Sequence, residues 1–152
     1  MTLSELLKPE LILTGIECES KNDLISILVG KIYEYGYELP INENSLIKTI
    51  QIREEVGGTL LPSGLSIPHA RLKDYEDFII TMAIPKGKLY HEGQELKLMS
   101  LMVSSQSGVP HYLKVLASLT KISRDNAYFT KLCNADSPEN FLEIIKEKDQ
   151  EL

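Results

Sequence analysis

Cysteine is scarce in this chain, and what it lacks narrows its chemistry. Two cysteines, Cys18 and Cys133, lie far apart in no CxxC or CxxxH pattern. A disulfide framework or a thiolate metal site needs more of them, or closer ones. They read as free thiols in a reducing compartment, although spacing alone leaves a bridge between them open. Three histidines are present, none in an HxxxH or HExxH pattern, so no metal site is expected. P-loop and GxGxxG motifs are missing. Gly64-Leu65-Ser66 begins like a nucleophile elbow, but Pro68 stands where the second glycine is required. No apolar run approaches the roughly 20 residues that span a bilayer. The opening MTLSELLKPE lacks the charged and apolar regions of a signal peptide. The expectation is a cytoplasmic protein with no direct membrane insertion. Basic blocks are also missing, and 16 Lys and Arg against 22 Asp and Glu leave a net charge of −6. That balance argues against nucleic acid as a partner, because phosphate backbones are held by clustered cations. Without repeats, low-complexity tracts or Pro/Gly/Ser linkers, the 152 residues read as one domain over 1–152. Such a length buries a core without staples.

Several periodic segments stand out. A short helical turn is expected at 3–7, then a helix over 22–35 with Leu24, Leu28, Ile32 and Tyr35 on one side. Ser20 or Asn22 suits its cap and Gly36 its end. A second helix over 43–55 carries Leu46, Ile47 and Ile50, and Gly57-Gly58 stops it. Segments 59–61 and 65–67 read as short strands about a Pro62-Ser63-Gly64 turn. The runs 78–84, ending at Pro85, and 96–103 read as strands covered on both faces, with 86–93 as the connecting loop. From Pro110 the period returns to that of a helix, followed by helices at about 126–134 and 138–148, the last burying Phe141, Leu142 and Ile145. Helices, then strands, then helices give an α/β fold: a small mixed β-sheet flanked by helices on both faces, an α/β sandwich.

Three residues carry candidate chemistry. In Gly64-Leu65-Ser66-Ile67-Pro68-His69-Ala70, a short strand meets Pro68, which cannot donate to a ladder. His69 follows at the strand mouth beside small Ala70. It is either a fixed, accessible imidazole or a histidine that ends a strand against a carbonyl. His111 follows Pro110, which suits the first position of a helix. Free N–H groups and the positive dipole end there favour anions and a neutral imidazole. A plain surface histidine fits the same spot. Ser104, Ser105 and Ser107 supply hydroxyls upstream, one of them a possible cap. Arg53 lies at i+7 from Leu46 and i+3 from Ile50, read as the inward-tending side of its helix. It either reaches an anion or simply complements the helix C-terminus. His91 reads as an exposed loop residue with no role.

Together these residues form a pattern. Arg53-Glu54-Glu55, Gly58-Thr59 and Gly64-Leu65-Ser66-Ile67-Pro68-His69-Ala70 resemble the signature of the fructose/mannitol type of IIA domain of the bacterial phosphoenolpyruvate-dependent phosphotransferase system. His111-Tyr112-Leu113-Lys114-Val115-Leu116-Ala117-Ser118-Leu119 resembles that family's second histidine and following helix, and 3–35 its N-terminal region. Ser66 stands where the family usually has Ala, and Tyr112 where it usually has Leu. The resemblance implies a phosphohistidine relay without metal or cofactor. His69 would accept a phosphoryl group from phospho-HPr, His111 would donate a hydrogen bond to its oxygens, and Arg53 would offset their charge. Thr59 and Ser66 would support the phosphate site. The acceptor would be a IIB domain in sugar uptake, or a regulated protein in the nitrogen-regulatory type. The chain carries no IIB, IIC or HPr-like segment, and its opening Leu3-Ser4-Glu5-Leu6-Leu7-Lys8-Pro9-Glu10 resembles the regulatory type. The alternative is a non-catalytic binding module that keeps the fold.

Overall fold

The computed structural model describes residues 2–106 and 109–152. The helices are α1 (Leu3–Leu6), α2 (Lys21–Glu34), α3 (Glu43–Val56), α4 (Val109–Arg124), α5 (Asn126–Cys133) and α6 (Pro138–Lys146). Side chains with the right chemistry start them. Ser20 Oγ accepts the Asp23 N–H at 3.0 Å, and Asn42 Oδ1 accepts the Ser45 N–H at 2.9 Å. Ser137 and Asp125 do the same for α6 and α5. Each cap satisfies a backbone donor that the helix leaves free. Gly36, at φ +86°, lets the chain turn off α2 in a conformation costly for other residues. Ser107, one candidate cap of α4, lies outside the described residues.

The strands are β1 (Ile12–Ile16), β2 (Leu65–Ser66), β3 (His69–Leu72), β4 (Phe78–Ile80), β5 (Met82–Pro85), β6 (Leu89–His91), β7 (Gln94–Leu96), β8 (Leu98–Met99) and β9 (Met102–Ser105). One sheet has the order β1-β5-β8-β2, another β3-β9-β4, and β6-β7 form a hairpin. Both larger sheets are mixed: β1 runs parallel to β5, β2 to β8 and β3 to β9, while β5–β8 and β4–β9 are antiparallel. Helices flank the strands on both faces. The side bearing α1, α4, α5 and α6 buries Leu3, Ile80, Met82, Met102, Leu119 and Phe141. The side bearing α2 and α3 buries Leu28, Ile50, Ile79, Ala83, Leu101 and Val103. Alternation within 79–84 and 98–103 feeds both layers, as a pleated strand requires.

Several strand boundaries differ from the sequence expectation. The apolar runs 78–84 and 96–103 are not single strands. Each is split between the two larger sheets, as is 65–72, and 96–103 also begins in the hairpin with Leu96 of β7. The breaks line up. Pro68 lacks an N–H, so it can accept from Met102 N at 2.9 Å but gives nothing back. Beside it, the Thr81 N–H and hydroxyl both go to Leu101 O, at 2.9 and 2.8 Å. Hydropathy stays continuous across such a break, so it is invisible in the pattern. The expected strand at 59–61 is only a bridge between Leu60 and Ser66. The loop read over 86–93 instead contains β6, turned by Glu92 and Gly93 at φ +51° and +82°. That pair serves the two-residue turn usually signalled by Asn-Gly or Asp-Gly. His91 therefore sits in a strand and is half-buried. Cys18 and Cys133 are free thiols. Among the described residues no helix is long and apolar enough to cross a membrane.

Candidate functional site

His69 opens β3 immediately after Pro68, paired in register with Met102 of β9. Ala70 and Leu72 face the core, which leaves His69 and Arg71 on the other face of the strand. The His69 ring is fixed from two sides. Its Nε2 lies 2.8 Å from Ser104 Oγ on β9. Tyr112, from the first turns of α4, stacks on it with ring centroids 4.1 Å apart and planes 12° from parallel. The Arg71 guanidinium carbon lies 5.3 Å from the centre of that same tyrosine ring, a cation–π contact.

The cleft in front of the imidazole has a volume of about 410 Å³ and is lined by Thr49, Arg53, Glu54, Thr59, Arg71 and Tyr112 among others. Partial burial, then the charges of Arg71 and Arg53, push the His69 pKa from 6.5 to about 4. A cationic ring is disfavoured there by desolvation and by like charge. The site thus presents a neutral imidazole base with guanidinium groups beside it. An incoming anion meets a lone pair and positive charge together, which is what phosphoryl transfer asks of a protein.

Thr59 braces the strand that leads to His69. Its hydroxyl lies 3.0 Å from each carboxylate oxygen of Glu54, and its N–H donates to Glu54 Oε1 at 3.2 Å. The same oxygen, Oγ1, accepts the Ile67 N–H at 3.1 Å, two residues before the imidazole. Behind Glu54 lies Lys21, with Nζ 3.0 Å from Oε1 and both side chains 2% exposed.

The structure gathers some of the expected residues and separates others. His69, Arg53 and Thr59 share the cleft. Arg53 is exposed, not inward: the buried positions of α3 are Leu46, Ile50 and Glu54, in steps of four, so the inward charge is Glu54. Arg53 instead donates from Nη1 to Gly57 O at 3.0 Å, closing its own helix end. His111 holds its first-turn position in α4 but is exposed, its ring 6.0 Å from that of Phe78. The neighbouring Tyr112 is the side chain that reaches His69. Ser66 is fully buried, and its hydroxyl has no hydrogen-bond partner among the described residues. The hydroxyl at His69 comes from Ser104. Sequence reasoning passed over Arg71, Glu54 and Lys21. A step of two from His69 along β3 marks Arg71, and a step of four from Ile50 marks Glu54. No signal marks Lys21, whose partner is distant in sequence.

A larger cleft of about 470 Å³ adjoins this one through Glu54. Glu55 and Glu92 also line it, so an anion is less welcome there. Among the described residues no group of three or more His, Cys, Asp or Glu is placed to hold a metal.

Known proteins resemble the chain over nearly its full length. It is 27% identical to a nitrogen regulatory protein of Bradyrhizobium diazoefficiens over 135 residues, covering 87% of this chain and 86% of that one. Its fold matches the nitrogen regulatory protein IIA-Ntr of Neisseria meningitidis with a TM-score of 0.81 at 18% identity, over 94% of this chain and 98% of the other. It also matches the IIA mannitol enzyme of Escherichia coli, in a complex with phosphorylated IIB mannitol enzyme, with a TM-score of 0.73 at 18% identity, over 93% and 97% of the two chains. The family described as phosphoenolpyruvate-dependent sugar phosphotransferase system, EIIA 2, matches residues 5–148. With its neutral histidine set at the end of a Gly-x-x-Ile-Pro run, the chain belongs to this EIIA 2 family.

Proposed function

We propose that the protein is a cytoplasmic phosphocarrier, one carrier domain that takes a phosphoryl group from phospho-HPr onto His69. One observation carries this reading: a neutral, ring-stacked imidazole faces a cleft between Arg53 and Arg71. A lone pair of His69 attacks phosphorus and the N–P bond of the donor phosphohistidine breaks; the donor ring, protonated on its other nitrogen, leaves as neutral imidazole, and His69 keeps its own N–H proton as the phosphorylated imidazolium. Arg53 and Arg71 offset the charge on the equatorial oxygens. Ser104 and Tyr112 hold the ring at one angle, which lowers the entropy cost of in-line approach. Thr59 steadies the backbone before His69. His111, on the exposed rim, donates a hydrogen bond to a phosphoryl oxygen once the donor is docked. No metal or other cofactor enters this scheme.

Beyond His69 the phosphoryl group has two destinations. Relatives named nitrogen regulatory proteins favour a signalling role through a regulated partner. The mannitol enzyme seen with phosphorylated IIB favours passage to a IIB domain. The regulatory reading is preferred, because those relatives share 25–27% of their residues with the chain against 18% for the mannitol enzyme. Incubation with phosphoenolpyruvate, enzyme I and HPr tests the carrier role. The expected product is one acid-labile, base-stable phosphoryl group, absent in His69→Ala. A wild-type chain that takes up no label is instead a binding module that retains the fold.

A further inference from the structure

The wall of the His69 cleft contains a feature that works against a phosphate site. Glu54 lines it, and its carboxylate would repel an incoming phosphoryl group. The carboxylate is nevertheless useful, since it accepts from the N–H and hydroxyl of Thr59 and so fixes Ile67 and the approach to His69. Lys21 stands directly behind it at 3.0 Å, and both side chains are 2% exposed. Among the described residues the ammonium makes no aligned hydrogen bond, so its interaction is with charge. Its position is otherwise a poor one. Lys21 is the first residue of α2, where the helix dipole opposes a cation. A buried ion pair also returns little net stability, because desolvating both ions offsets their attraction. Glutamine would accept from Thr59 without needing a counter-ion.

We propose that Lys21 is a positioning and charge-cancelling residue for phosphoryl transfer. It neutralises Glu54 toward the cleft while leaving the carboxylate free to hold Thr59. Lys21 acts through Glu54 and touches no reacting atom. This inference rests on the carrier reading above.

The experiment compares initial rates of phosphoryl uptake from phospho-HPr in the full chain, with folding checked by circular dichroism. Lys21→Met leaves Glu54 unopposed and should slow uptake by at least about tenfold. The double variant K21M/E54Q removes both charges and should recover to within about threefold of wild type. If K21M does not fold, the K21M/E54Q rate against wild type decides. A double variant as slow as K21M, or more than about tenfold slower than wild type, overturns the proposal in favour of a purely structural clamp. A wild-type chain without uptake overturns the carrier reading itself, a different outcome from any pattern among the variants.

Discussion

His69 illustrates how little of a residue's chemistry lies in the residue itself. A free imidazole titrates near neutrality. Here burial and then Arg71 and Arg53, in that order, move it to about 4. The base is therefore ready without a partner to remove its proton. An NMR titration of the His69 ring should show a midpoint near 4 in the wild type. Arg71→Gln should move that midpoint upward, and Arg53→Gln should move it less. A midpoint that ignores both substitutions would assign the whole shift to burial. The stack with Tyr112 is the other residue-level device. The aromatic ring lets one side chain meet both His69 and Arg71.

At the level of elements, the site depends on how α3 is tied to the segment carrying β2 and β3. The tie is Thr59, which bonds Glu54 of α3 on one side and Ile67 on the other. Thr59→Val keeps the shape and removes the hydroxyl. It leaves the Ile67 N–H and the Glu54 carboxylate short of a partner, at a cost of roughly 1–3 kcal/mol. Urea unfolding measures this, and a change within error would mean that water replaces the hydroxyl. Elements of this kind were unequally legible in the sequence. The helices over 21–34, 43–56 and 138–146 announce themselves by period and by capping residues, within two residues at each end. The strands did so only in part, the one read at 65–67 being β2. β1 and β3 are short, and His69-Ala70-Arg71-Leu72 shows no apolar run to mark it. The splitting of 78–85 and 98–105 arises from hydrogen bonding at Pro68 and Thr81, which hydropathy does not record. His69 and Arg53 stood out by their place in the sequence, although the inward side read for Arg53 belongs to Glu54, and Thr59 came only from the family resemblance. Lys21, Arg71 and Ser104 needed strand register and long-range packing.

For the molecule as a whole, the depressed pKa of His69 couples folding to acidity. The unfolded imidazole binds its proton near 6.5 and the folded one near 4, so between those values the unfolded chain holds more protons. The contribution is complete above about 6.5, is lost progressively as pH falls toward 4, and then levels off. His69→Gln should therefore show a shallower decline of urea midpoint through that window than wild type. Parallel curves would place the acid sensitivity in other groups. The tyrosine stack has a further use for anyone studying the chain. There are three histidines and no tryptophan in it. Of those histidines, His69 lies 4.1 Å beneath an aromatic face, where the ring current shields its carbon-bound protons. Its signals should stand upfield of those of His91 and His111 in a plain one-dimensional proton spectrum. The protein thus carries a built-in label on the imidazole proposed as phosphoryl acceptor, so the proposed uptake from phospho-HPr can be tested there without isotopes or dyes.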